Sequence, residues 1–203
     1  MTERGMIFNG EMVRALLDGR KTQTRRIVKP QPELTERSGF SWNGALYGAG
    51  SDSRETNRNF AHTKCPFGKP GDRIWVRETW ERYNIDQDSH DMAYRATPPQ
   101  DWPDAGRWRP SIHMPRWASR ILLEITDVRV ERLNDISQED AQAEGMELTG
   151  WRPTYSDPDS GGEVCTPYDN FALLWESIYG EKSWQSNPWV WVIEFKRIEG
   201  GAA

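Results

Sequence analysis

The chain has 203 residues, 28% of them charged, and a formal net charge of −5; that length suits one domain with insertions, or at most two small ones. No apolar run approaches the roughly 18 residues of a membrane helix, and the acidic balance excludes a broadly basic nucleic-acid coat while leaving room for a local basic site. Two cysteines, Cys65 and Cys165, cannot build a disulfide scaffold, and the opening MTERGMIFNG lacks the apolar stretch of a secretory signal, so a reduced, cytoplasmic setting is expected.

In chain order, Asn9 reads as the N-cap of a short helix whose stripe is Met12, Val13, Leu16 and Leu17 and whose end is Gly19. Thr22 to Val28 is rich in β-branched residues and is stopped by Pro30 and Pro32. Residues 31–64 read as a long loop or insertion with scattered rings. After a turn at Gly68 to Asp72, the alternation of Ile74 and Val76 against Arg73, Trp75 and Arg77 predicts a strand over 73–80. A second irregular stretch covers 83–115. Ile121, Leu123 and Ile125 hold one phase and Val128 and Val130 the other, which predicts strand with a bulge or bend near Asp127. Ser137 opens a helix with Asp140 completing a capping box and Gly145 at its end. A third insertion runs over 147–168. Asp169 caps a helix with Phe171, Leu174, Trp175 and Ile178 on one face, and Trp189 to Phe195 is a buried strand. The whole predicts an α+β fold, one domain over 1–199 around a small β-barrel with short flanking helices, and a frayed tail at 200–203.

Charge is unevenly placed. Arg14, Arg20, Lys21, Arg25, Arg26 and Lys29 against Asp18 give residues 14–29 a net +5. Glu131, Asp135, Glu139, Asp140, Glu144 and Glu147 against Arg132 give 131–147 a net −5. The two segments either pair in the fold or form two solvated faces. The basic run contains Gly19-Arg20-Lys21-Thr22-Gln23-Thr24-Arg25-Arg26. It is not a phosphate-binding P-loop, because the upstream glycine, the Gly-Lys pair and the strand–loop–helix order are missing. On composition alone it reads first as a helix end decorated with cations that complement the helix dipole.

Gly19, Lys21 and Arg26 at this spacing, after a first short helix, resemble the signature of the ASCH domain, a PUA-like β-barrel. The stretch is most similar to the small bacterial ASCH enzymes that hydrolyse N(4)-acetylcytidine, which are much shorter than this chain. The likeness continues through Gly71-Asp72, Glu124-Ile125-Thr126, Ala143-Glu144-Gly145-Met146 and Val192-Ile193-Glu194-Phe195-Lys196. Blocks around Cys65-Pro66 to Trp80 and Ser111 to Trp117 resemble phage-encoded relatives. The resemblance implies a lysine, threonine and glutamate catalytic set on Lys21, Thr24 and Glu144. Thr24 stands where many ASCH proteins carry glutamate, which favours the hydrolase branch.

That set suits amide hydrolysis, which needs a nucleophile, a proton shuttle and an oxyanion stabiliser. Thr24 would be the nucleophile, Lys21 the base or a charged stabiliser, and Glu144 the orienting acid or base. The arrangement requires Gly19 to Thr24 to form a turn. For Lys21 to act as a base near neutrality its pKa must fall well below about 10.4, by repulsion from Arg20, Arg25 and Arg26 and by burial. Arg26 is either a substrate contact or a structural one. Eleven tryptophans beside a mean hydropathy of −0.84 put much of the apolar surface into large rings, suited to a core or to platforms for bases. Trp75, Trp80 and Trp117 are candidates to stack on a pyrimidine, against core or loop packing, and His113 is a candidate substrate contact, against a surface histidine. His62-x-x-Cys65 has ligand-like spacing, but His113 and Cys165 are isolated, so neither metal nor cofactor is expected.

The expected activity is removal of an acyl group from N(4)-acylated cytidine or a related nucleoside, with a nucleoside or RNA as partner. The rival readings are an RNA- or modified-base-binding module without catalysis, an ASCH-type ribonuclease, and a phage accessory protein.

Overall fold

The structure, a computed structural model, describes residues 1–35, 39–47, 53–85, 90–103, 106–146 and 166–198. The expected insertion at 147–168 therefore falls outside the described residues up to 165, as do Cys165 and the tail at 200–203.

The main sheet has five strands: β1 (Glu3–Ile7), β2 (Gln23–Ile27), β6 (Arg73–Arg77), β9 (Leu122–Arg132) and β10 (Trp189–Ile198), in the order β1-β6-β9-β10-β2. Only β1 and β6 are parallel; the other pairings are antiparallel. Two small sheets accompany it: β3 (Glu33–Leu34), β4 (Phe40–Trp42) and β5 (Ala45–Tyr47), and the hairpin β7 (Trp80–Ile85) with β8 (His90–Tyr94). The helices are α1 (Gly10–Leu17), α2 (Ser53–Lys64), α3 (Gln138–Ala143) and α4 (Pro167–Tyr179). The α+β class is as expected. The strands make an open order with β1 and β2 at its edges, and no closed barrel is present among the described residues.

β10 organises the interior because both of its faces are apolar. Trp189, Trp191, Ile193 and Phe195 join one core with Val13 and Leu16 of α1, Phe60 of α2 and the inward residues of β6 and β9. Val190 and Val192 face the other way, into a second core with Ala141 of α3 and Phe171 and Trp175 of α4. A strand covered on both faces reads as a continuous apolar run rather than an alternating one. β9 pairs with β10 along its whole length, and the register slips where Glu194 meets Asp127 but Phe195 meets Ile125. Thr126 is the extra residue, so the bulge lies beside Asp127, as the change of phase predicts.

Several expectations need correction. The strand predicted over 73–80 is two strands, β6 and β7, which belong to different sheets. The stretch 31–64 holds β3 to β5 and α2. α2 has no apolar stripe. It is held by Phe60 and Ala61, which are buried, and Phe60 stacks on Trp191 at 5.4 Å. β1 has no sequence signal of its own; it exists by pairing with β6. Asp169 is not the cap of α4: Thr166 is, with Asp169 three residues on completing a reciprocal capping box. At α3, Ser137 accepts from the Asp140 backbone as expected, but the Asp140 carboxylate goes to two arginines.

The turn before β6 is fixed by Asp72. Its carboxylate accepts from Thr2 N at 2.7 Å and Lys69 N at 3.3 Å. The Thr2 bond above all holds its pKa below the usual range. Asp72→Ala leaves both amides without this partner and is expected to cost about 1–3 kcal/mol at pH 7. A carboxylate with a depressed pKa stabilises the fold above its ordinary value and loses that contribution as pH falls through the depressed one. The melting-temperature gap between wild type and Asp72→Ala should therefore narrow as pH drops below about 3.8.

Candidate active site

α1 ends at Asp18, and Gly19 follows at φ +75°, turning the chain out of the helix. Residues 20–22 have no regular structure, and β2 begins at Gln23. The required turn thus covers Gly19 to Thr22, while Thr24 is already in the strand. Two backbone bonds clamp the turn between helices: Lys21 N donates to Ala15 O at 3.0 Å, and Thr22 N donates to Ala143 O at 2.8 Å. On the other side, α3 ends at Glu144, and Gly145 has φ +99°. A Cβ at Gly145 would lie 3.0 Å from Ala15 Cβ and 3.4 Å from Lys21 Cβ. A glycine here lets the end of α3 close onto the basic turn.

That closure brings Lys21 to Glu144, 123 residues away. Lys21 Nζ donates to Glu144 Oε2 at 2.7 Å and to the Glu144 carbonyl at 2.9 Å. The side chain of Lys21 is fully buried and that of Glu144 is 2% exposed. Burial pushes the Lys21 pKa down, repulsion from Arg26 and Arg25 adds to this, and Glu144 opposes it. Arg20, expected to contribute, instead bonds to Asp18 and to the Gly145 carbonyl. Of the neighbouring acids in the sequence, Glu139 is exposed and Asp140 binds arginines, so Glu144 is the carboxylate on Lys21.

The residue missed by motif reading is Arg25. Its guanidinium is fully buried, donates to Glu144 Oε1 at 3.2 Å and Asp140 Oδ2 at 3.0 Å, and binds Glu131 closely. Arg129 lies next in the network, bound to Glu131, Asp140 and Glu194. The +5 and −5 segments therefore pair, and the charge complementarity between them was the sequence signal for this cluster.

Thr24 is also fully buried, but on the other face of β2. Thr24 pairs with Ile193 and Arg26 with Trp191, both in the first core; Arg25 pairs with Val192, in the second. Thr24 Oγ1 accepts from Arg26 Nη1 at 2.9 Å, and among the described residues it makes no hydrogen bond to Lys21. Arg26 also donates to Arg25 O and to Ile7 O and lies over the Phe8 ring. Arg26 is thus a structural contact that holds Thr24 and ties β2 to β1.

The structure does not bring the other candidates to this cluster. Trp75 lies on the outer face of β6, against Gly5 and under the Arg77 guanidinium. His113 is on an exposed turn. Trp117 is 51% exposed and makes an edge contact with Trp80. His62 Nε2 lies 2.9 Å from Asp127 Oδ1, while burial pushes the Cys65 thiol up to about 11, so that helix carries no activated nucleophile. No group of three or more metal-ligating side chains is found among the described residues, and no helix there is long and apolar enough to cross a membrane.

A cavity of about 190 Å³ lies beside Glu144, between α1 and the end of α3, lined in part by Ala15, Arg20, Glu144, Gly145 and Leu174. It is smaller than the roughly 300–1,000 Å³ of clefts that enclose whole ligands, so it suits a small group presented to Glu144. Comparison with known proteins finds no matching family model, no matching curated protein and no matching solved structure.

Removing one member of a buried charge pair strands the other. Glu144→Ala leaves Lys21 and one arm of Arg25 uncompensated and is expected to cost about 3–5 kcal/mol in urea unfolding. Lys21→Met leaves Glu144 on Arg25 and should cost less. The depressed Lys21 pKa has a further sign: between it and about 10.5 the unfolded chain holds a proton the folded chain lacks. Wild-type stability should therefore rise relative to Lys21→Met as pH climbs through that window.

Proposed function

We propose that this chain is an ASCH-type amidohydrolase that removes an acyl group from N(4)-acylated cytidine or a related modified nucleoside. The observation that carries the reading is the fully buried Lys21–Glu144 pair at 2.7 Å, with burial lowering the lysine pKa. A lysine shifted toward neutrality can exchange a proton with a reacting group, which an ordinary surface lysine does poorly. A PUA-like barrel, left open between β1 and β2, belongs to the same proposal. Its support is the Arg26 guanidinium, which reaches from Thr24 on β2 to Ile7 O on β1.

In this mechanism Thr24 Oγ attacks the acyl carbonyl. Because Arg26 donates to that oxygen, the hydroxyl proton points elsewhere and the positive charge favours the developing alkoxide. Lys21 accepts the proton, and Glu144 keeps the amine oriented and relays the proton to the departing N4 amine. The C–N bond breaks, cytidine leaves, and water hydrolyses the threonine ester to release the carboxylic acid. Catalytic hydrogen bonds are often long or unmade in a free enzyme and tighten with substrate. The Thr24-to-Lys21 step requires that tightening, with the acyl group lying across the start of β2.

The protein is expected to convert N(4)-acetylcytidine to cytidine, followed by absorbance. Lys21→Ala, Thr24→Ala and Glu144→Gln should each lower kcat by about 10²–10⁴-fold or more. A folded wild type inactive on N(4)-acetyl and longer N(4)-acyl nucleosides would overturn the activity. Turnover that survives Thr24→Ala would remove threonine as the nucleophile.

A further inference from the structure

Arg25 is placed to act on Lys21 through Glu144. Strand alternation turns it to the face of β2 that meets the second core, away from Thr24 and Arg26. Its side chain is fully buried, with the Phe171 ring of α4 centred 5.9 Å from the guanidinium carbon. It reaches three carboxylates, Glu131, Asp140 and Glu144. The first two have another arginine: Arg129 donates to Glu131 Oε2 at 3.0 Å and to Asp140 Oδ2 at 3.2 Å. Glu144 meets no other arginine among the described residues. Arg25 Nε, also buried, has no hydrogen-bond partner among them. A guanidinium placed for stability alone would not leave a dry N–H unmade beside two acids that are already matched.

This contact divides Glu144 between two cations. Arg25 Nη1 takes Oε1 at 3.2 Å, which leaves Oε2 for Lys21 Nζ at 2.7 Å. The Glu144 carbonyl is the second acceptor of Nζ, at 2.9 Å, and the described residues supply no third. An ammonium has three hydrogens to place, a neutral amine two. Two acceptors in a fully buried setting satisfy the amine and leave its lone pair free to take a proton. The charged groups around Lys21 are Arg25 and Arg26 from β2, Glu144 from the end of α3, and the Asp18–Arg20 pair from the end of α1 and its turn. Asp140 stands behind them, held by Arg25 and Arg129. Burial, Arg26 and Arg25 lower the Lys21 pKa, and Glu144 opposes them.

We propose that Arg25 is the positioning residue of this site: by occupying one oxygen of Glu144 it limits that carboxylate to a single bond with Lys21 and keeps Lys21 a neutral amine. The consequence for catalysis rests on the hydrolase reading: Arg25 sets the lowest pH at which Lys21 can take the threonine proton. Arg25 lies on the far side of β2 from Thr24 and acts only through Glu144.

The test is the protonation midpoint of Lys21 in the whole chain, followed by NMR of isotope-labelled lysine side chains, with the Lys21 signal identified by its loss in Lys21→Met. Arg25→Met removes a cation and frees Oε1, so Lys21 should hold its proton to higher pH, with a midpoint raised by about 1–3 pH units. In turnover of N(4)-acetylcytidine the acid limb of kcat should rise with it, because free amine falls about tenfold per pH unit below the midpoint. KM should change little, and raising the pH should restore the rate, whereas a residue that only supports the fold would lower the rate at every pH. Arg25→Lys keeps the charge but has no fork to hold Glu144 together with Asp140 and Glu131, so it should raise the midpoint by less; it carries the test if Arg25→Met does not fold. Arg129→Gln loses contacts to Glu131, Asp140 and Glu194 but none to Glu144, and should weaken the fold while leaving the midpoint in place. A wild-type midpoint at the ordinary value of about 10.4 would overturn the proposal. So would an unmoved midpoint in the folded Arg25 variants, or an equal rise in Arg129→Gln. A raised midpoint in Arg25→Met, with a wild type inactive on every N(4)-acyl nucleoside, would uphold the hold of Arg25 on Lys21 and overturn the hydrolase reading instead.

Discussion

Everything about the candidate site depends on one buried ionic contact, Glu144 between Lys21 and Arg25. One carboxylate oxygen is given to each cation, and the arrangement pins the end of α3 to the turn before β2. It extends outward through Asp140, Glu131, Arg129 and Glu194, so three cations and four carboxylates form one network across β2, β9, β10 and α3. Such a network is a poor way to gain stability. Desolvating each ion is costly, and replacing buried pairs by apolar groups of similar volume is frequently neutral or stabilising. Its presence is better explained by what a dry lysine can do. Away from water, and with Glu144 as hydrogen-bond partner, Lys21 has a lowered pKa and a fixed orientation, both of which a proton-transfer group needs.

The division of β2 into two faces determines how such a site would work. Arg25 belongs with Val192, α3 and α4; Thr24 and Arg26 belong with Ile193, Trp191 and α1. Lys21 precedes the strand, at the point where the two sides meet, and both Arg25 and Arg26 depress its pKa. A nucleophile on one face and a proton acceptor at its end can act together only if the reacting group lies across the strand terminus. The cavity beside Glu144 is smaller than ordinary ligand clefts, and neither Lys21 nor Thr24 is among its lining residues.

How much of this was legible follows from which residues carry periodic signals. α1 has a cap, a stripe and a terminal glycine, and all three read correctly. The bulge in β9 was visible because the apolar phase changes at Asp127. α2 was invisible because SRETNRNFAHTK has only Phe60 and Ala61 to bury, so tertiary contact rather than pattern makes it a helix. β1 was invisible for a related reason, since parallel pairing with β6 supplies what ERGMI lacks. In the site, Lys21 and Glu144 were singled out by the family resemblance and the structure brings them together, whereas Arg25 was not singled out. Its role comes from three carboxylates delivered by β9 and α3, a juxtaposition that no single motif contains.

Charge runs and charged surfaces are different things in this protein. Two cations of the densest basic run, Lys21 and Arg25, fold against the densest acidic run and are paired inside. The arginines of β6 and β7, Arg73, Arg77 and Arg82, stand four and five residues apart and form no run, yet strand alternation places Arg73 and Arg77 on one face of β6 with Trp75. Burial converts the conspicuous cluster into internal chemistry, and strand geometry converts the inconspicuous one into a surface.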